Sequence, residues 1–223
     1  MKTKLFSIVF LILLSATIAS AQNKEKVSFG ILGGVNFQNL NGKDYFGDKL
    51  ENDLIVGYHV GANILIPIVP EFYFQPGVLF STKGAKNSDN SITTTTNLSY
   101  IEMPLNFIYR GSLGKGYIML GLGPYIGYAV KGKVKTESGS ESETRDIEFQ
   151  NVVEIDDPLT VPYFKALDVG GNLLFGYELP SGIFAQMNVQ LGMMKINPEY
   201  EAFTDDESSV KNTGFGISLG YRF

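Results

Sequence analysis

Every second residue from Val27 onward is apolar: Val27, Phe29, Ile31, Gly33, Val35 and Phe37 alternate with Ser28, Gly30, Leu32, Gly34 and Asn36. A repeat of two places one set on each face of a β-strand. The pattern recurs seven more times, over residues 56–66, 72–83, 101–110, 117–128, 167–178, 183–193 and 214–223. In each segment the second set is rich in Gly, Ser, Asn and Gln with a few charges. The first carries large side chains, often with an aromatic near the segment end: Phe37, Tyr58, Phe72, Tyr109, Tyr128, Tyr177 and Tyr221.

Which face is buried decides between two architectures, because a one-residue slip in register turns every side chain over. A soluble sandwich or carrier-type barrel points the apolar set inward. A membrane barrel points it at lipid and fills the lumen with the small and polar set. Aromatics flanking an apolar band suit the two bilayer interfaces, and segments of about ten residues suit a tilted crossing. The connections separate by length. Residues 67–71, 111–116 and 179–182 are short; residues 38–53, 84–97, 131–164 and 195–212 are long and polar. Short turns at one end and long loops at the other are expected of an outer-membrane barrel. The fold class predicted is all-β: an eight-stranded antiparallel up-and-down transmembrane β-barrel with both termini on the short-turn, periplasmic side. Val60, Leu120, Val169 and Val189 should face lipid, and Asn63, Gly121, Asn172 and Asn188 the lumen. Pro76, Pro104 and Pro124 fall inside strands, where each removes a ladder donor, so bulges or loosened pairing are expected there.

The N-terminus reads differently. Lys2 and Lys4 precede an apolar stretch over residues 5–14, and Ala19-Ser20-Ala21 offers a cleavage site before Gln22. The apolar run is too short for a spanning helix. Residues 1–21 are therefore read as a removable signal peptide and residues 22–223 as the barrel domain. No later segment has a long unbroken apolar run. The chain has no cysteine, so it has no disulfide frame, thiolate metal site, Cys nucleophile or lipid-attachment cysteine. Charged residues make up 18% of the chain, below the ~25% usual for soluble domains, and the formal charge of −5 offers no basic patch for nucleic acid.

Three stretches carry a resemblance. Ser99-Tyr100-Ile101-Glu102-Met103-Pro104-Leu105 resembles a Tyr-x-Glu-x-Pro-Leu strand of the PorT-like outer-membrane β-barrel family. The stretches 74–84 and 121–127, which hold Pro76 and Pro124, are similar to that family too. The resemblance spans nearly the whole chain after the signal and implies an outer-membrane location and the barrel fold. One namesake is tied to protein secretion, a role that does not transfer by itself. The terminal Tyr221-Arg222-Phe223 resembles the aromatic-ended last strand recognised by the barrel-assembly machinery.

Candidate chemistry is sparse. His59 is the single histidine, and no serine motif or spaced partner accompanies it, so it reads as lumen packing. Lys83, Glu102, Arg110, Lys131, Asp168, Glu178 and Arg222 fall on the inward set, as an ion path or as paired filler. Arg110, Glu178 and Arg222 should lie near the periplasmic end, Lys83 and Glu102 in the extracellular half, and Lys131 and Asp168 at its rim. Opposite charges should meet at each level, since an unpaired ion in a narrow lumen is costly. Tyr73, Tyr117, Tyr125, Phe184 and Gln186 are large fillers of the same lumen. Asp156-Asp157 and Asp205-Asp206-Glu207 lack the spacing of a calcium loop, the Thr93–Thr96 run reads as polar loop, and Gly30, Gly33 and Gly34 lie within a strand and so form no nucleotide fingerprint. No catalytic, cofactor-binding or metal-ligating set is assigned. Tyr45, Phe46, Phe149, Tyr163, Tyr200 and Phe203 are expected as exposed loop aromatics, with residues 147–155 as a hairpin above the membrane.

The first functional reading is a structural or interaction barrel in the outer membrane, plugged and working through its long loops on an envelope or protein partner. The competing readings are a narrow porin-like channel, a membrane-embedded lipid or peptide enzyme, and a soluble carrier with its faces reversed.

Overall fold

The computed structural model describes residues 26–89, 91–203 and 205–223, so the signal expected over residues 1–21 lies outside the described residues. The strands are β1 (Ser28–Lys43), β2 (Ile55–Val69), β3 (Phe72–Asp89), β4 (Ile92–Leu113), β5 (Gly116–Ser138), β6 (Glu141–Asp146), β7 (Glu148–Phe149), β8 (Val152–Val153), β9 (Tyr163–Phe164), β10 (Leu167–Glu178), β11 (Ile183–Gly192), β12 (Glu199–Tyr200) and β13 (Ser209–Arg222). Eight of them, β1 to β5 with β10, β11 and β13, form an antiparallel ring. Each pairs with its neighbour in the chain, β5 pairs with β10, and β13 returns to β1. Closure leaves no open edge within the ring, which a hydrocarbon environment requires.

Alternation sets the faces as predicted. Val60 and Leu120 are exposed on the outer wall and Val169 and Val189 are half-buried on it, while Asn63 and Asn172 are buried inside. The outer wall carries a row of exposed apolar side chains on every ring strand, among them Phe29, Val78, Phe107, Leu122, Phe175 and Ile217. Two aromatic belts bound it. At the turn end Phe72 packs on Tyr109 (5.4 Å) and Tyr221 on Phe223 (4.9 Å). At the loop end Phe37 stacks on Phe215 (4.9 Å) and Tyr58 meets Phe80 (5.9 Å). Amphipathic rings at both ends of an apolar band match the two headgroup levels.

Inside, a cluster of Leu32, Leu65, Tyr73, Ile108, Met119, Leu174 and Phe184 fills the turn-end half. Small residues make room for large ones facing them. A Cβ on Gly34 would lie 2.8 Å from His59 Cε1, and one on Gly170 would lie 2.7 Å from Tyr125 Cε1.

The prolines loosen pairing without slipping it. The β3–β4 ladder runs to Pro76↔Leu105 and resumes at Leu79↔Glu102 in the same register, and β4–β5 is interrupted likewise between Pro104↔Tyr125 and Phe107↔Leu122. The register shifts lie elsewhere, at Pro67/Val69 and Ser99/Tyr100.

Two of the long loops are not loops in the expected sense. Residues 84–97 continue the β3–β4 hairpin, with pairing through Asp89↔Ile92, so the threonine run sits within a strand. Above the ring β5 leaves β10 and takes β6 as its neighbour, from Lys133↔Asp146 to Ser138↔Glu141. The projecting hairpin is therefore built from these residues and not from 147–155. That segment instead contributes β7, parallel to β9, and β8, parallel to β12. The β7–β9 pair folds the longest connection back on itself, and the β8–β12 pair ties it to the last connection over the barrel mouth. Beneath them Leu40, Ala85, Leu98, Tyr100, Ala129, Ile147 and Ile196 form a second apolar core.

Candidate functional site

The inward face holds three polar layers. The upper one joins Lys83 from β3, Glu102 from β4 and Asp168 from β10, all at most 1% exposed. Lys83 Nζ lies 2.5 Å from Glu102 Oε1 and 3.1 Å from Asp168 Oδ2. One ammonium faces two carboxylates, and neutral donors supply the rest. Tyr125 donates its hydroxyl to Asp168 Oδ2 at 3.2 Å, Asn212 donates to the same oxygen at 2.9 Å, and Gln190 donates to Glu102 Oε2 at 3.2 Å. The ammonium also sits 4.3 Å from the Tyr125 ring centroid, a cation–π contact. Such a layer crosses the lumen from wall to wall.

The middle layer surrounds His59. Its Nδ1 meets Asn36 Oδ1 at 2.6 Å, and its Nε2 meets Ser218 Oγ at 2.7 Å. Asn36 in turn donates to Ser81 Oγ at 3.0 Å, which orients its carbonyl oxygen toward the imidazole. The histidine therefore does have spaced partners, contrary to expectation. They come from two other strands, β1 and β13, and Ser218 is 159 positions away in the chain, so no local motif announces them. The order serine, imidazole, amide is that of a nucleophile, base and orienting group. Ser218 is fully buried, however. The adjoining lumen cavity, lined by His59, Asn63, Asn106, Asn172 and Gln186, measures about 30 Å³, close to the volume of a single water. The layer fills the lumen around His59.

The lower layer lies at the turn end. Arg110 Nη2 and Arg222 Nε each lie 2.8 Å from one oxygen of the Glu178 carboxylate. Arg222 Nη1 donates to Asn63 Oδ1 at 3.2 Å, and the Arg110 guanidinium lies 3.4 Å from the Tyr117 ring centroid. Opposite charges thus meet in the periplasmic-end and extracellular-half groups, whereas the expected rim pair of Lys131 and Asp168 does not form, because Asp168 joins Lys83 instead. Tyr73, Tyr125, Phe184 and Gln186 are buried in the lumen as expected, and Tyr117 is half-buried.

Lys131 is the exception, since it is exposed on the outer wall. The irregularity at Ser99/Tyr100 pairs Ser99 with Lys131 but Tyr100 with Ala129. Val130 is thus the extra residue. Ala129 stays buried, Val130 and Lys131 are both exposed, and Gly132 is buried again. One inserted residue reverses the alternation and carries Lys131 out of the lumen.

The loop residues divide as well. Tyr163 is buried and Phe149 packs against the upper core. Tyr45, Phe46, Tyr200 and Phe203 instead gather at the tips of the first and last long connections. Tyr45 contacts Phe46 at 5.2 Å and Phe203 at 5.8 Å, and Tyr200 contacts Phe203 at 5.8 Å. Phe46 is 81% exposed. The two tips are tied by Glu207 N donating to the Tyr45 carbonyl at 3.3 Å. Nearby, Lys165 donates to Glu199 at 3.1 Å and holds that carboxyl below its ordinary range. The loop acids serve the backbone: Asp157 accepts from Glu154 N, and Asp206 from Ser208 N, each at 2.9 Å. Among the described residues, no three His, Asp or Glu side chains converge on a metal-sized space.

The family described as outer membrane protein beta-barrel domain matches residues 20–198. Two similar solved structures are crystal structures of Ail, the attachment invasion locus protein of Yersinia pestis. One, in complex with the heparin analogue sucrose octasulfate, is 13% identical, with a TM-score of 0.38 over 88% of this chain and 99% of that one. The other is 11% identical, with a TM-score of 0.35 and the same coverage. No curated protein matches the sequence.

Proposed function

The chain belongs to the outer membrane protein β-barrel domain family and resides in the outer membrane, and from that premise we propose that it is a plugged barrel that engages an envelope or protein partner through its extracellular loops. The cluster of exposed Tyr45, Phe46 and Phe203 with half-buried Tyr200 carries this reading. Large rings bind at low cost in lost conformational freedom and anchor many interfaces. Here they are held on connections stiffened by strand pairing and an apolar core, a rigid frame for a binding surface. The three filled layers support the plug, as eight strands leave a bore just wide enough for side chains. On this reading residues 1–21 are the export signal and the aromatic-ended last strand addresses the barrel-assembly machinery. The resemblance of the Glu102–Pro104 strand to the PorT-like family makes secretion the first process to examine.

Purified barrel in planar bilayers is expected to show no steady conductance. A stable, large single-channel current would overturn the plug and favour the porin-like reading. Replacing all four loop aromatics with serine should leave insertion intact, read by heat-modifiable gel migration, yet reproduce the secretion or surface phenotype of a deletion strain. A wild-type phenotype in that variant would reject the cluster as the working surface.

A further inference from the structure

The turn end of the barrel opens into a vestibule of about 450 Å³, lined among others by Lys26, Leu65, Tyr73, Arg110, Glu178, Leu179, Arg222 and Phe223. Its charges do not balance. Two guanidinium groups share the single carboxylate of Glu178, and Lys26 adds a third positive charge at the rim. Acceptors are short as well. Arg222, only 6% exposed, keeps Nη2 buried without a hydrogen-bond partner, and Arg110 Nε is in the same condition. Buried donors left unanswered are costly, and a guanidinium answers best to a planar carboxylate.

The walls add a second requirement. Leu65, Leu179 and Pro180 give the space an apolar side, with the Tyr73 and Tyr117 rings beside the arginines. The volume lies within the range of small-molecule pockets and far exceeds that of a bare ion. We infer that this vestibule is a periplasmic binding site for a monocarboxylate with an apolar body, such as the carboxyl end of a peptide or an acylated amino acid. The carboxylate meets the Arg110–Arg222 pair, Lys26 guides its approach, and the apolar body lies against Leu65 and Leu179. The site is at the opposite end from the loop aromatics and does not depend on what they bind.

The test uses the protein purified from the outer membrane in detergent, titrated calorimetrically with N-acetyl-phenylalanine, its uncharged carboxamide and inorganic phosphate. Saturable binding of the acid, with the amide and phosphate at least tenfold weaker, is the expected result. Arg110→Gln removes one charged hydrogen-bonding partner and should weaken the acid about tenfold or more, while heat-modifiable migration reports whether the barrel still folds. Lys26→Gln lies before the first strand, cannot disturb the lumen, and should weaken binding severalfold. Equal binding of acid and amide, phosphate binding as tight as the acid, no saturation, or indifference to both substitutions would each overturn the assignment.

Discussion

Replacing Lys83 with methionine is expected to destabilise the folded barrel by about 3–5 kcal/mol, the scale for stranding the partners of a buried ion pair. The reason is in the upper layer. Glu102 and Asp168 share this one ammonium, both are essentially unexposed, and the neutral donors around them are already engaged. Without Lys83 two carboxylates would lie close together in the lumen with no positive charge between them. Urea unfolding in detergent, followed by the gel shift between folded and unfolded forms, measures the loss. The control is the triple replacement Lys83→Met, Glu102→Gln, Asp168→Asn, which removes all three charges and should recover much of the stability. A single variant as stable as wild type would mean the layer is hydrated and its ions are individually solvated.

Leu122→Arg is the second large effect, with an expected cost of about 2–4 kcal/mol near the bilayer midplane. The outward row of β5 runs from Ile118 to Val130, and Leu122 lies near its middle, 61% exposed and paired with Phe107 and Leu173 on the adjoining strands. A guanidinium there must snorkel past several apolar neighbours to reach a headgroup. Leu120, one step nearer the turn end, should cost less when replaced in the same way. The two variants refolded into lipid vesicles and titrated with denaturant give the ordering. Equal and negligible effects would argue that this wall does not face hydrocarbon.

Much of this was legible in the sequence because period two is a local property. Val27 to Phe37 states which residues share a face, and the aromatic ends and loop lengths state which face meets lipid. Lumen pairing was also within reach, since Arg110 and Glu178 each lie beside a short turn and Arg222 closes the last strand at the same end, so the three share a level. His59 shows where local reading stops. Asn36 and Ser218 reach it only because β1, β2 and β13 are adjacent, and adjacency of the first and last barrel strands is a consequence of closure. The loop aromatics show the same limit: Tyr163 and Phe203 look alike in a polar connection, yet one is buried by packing and the other is not.

Alternation therefore determined the strand count and which residues share a face, because both follow from side chains pointing to opposite sides of a single strand, while aromatic ends and loop lengths added the membrane setting. Tertiary structure decided what depends on register and on pairing between distant segments. The extra residue at Val130 turned Lys131 outward, an offset visible only when Ser99 and Tyr100 are matched to their partners. The knitting of β7 with β9 and β8 with β12 turned two polar connections into a packed cap. Hydrogen bonds between segments far apart in the chain, and the volume left once side chains meet, are not written in any one stretch of sequence.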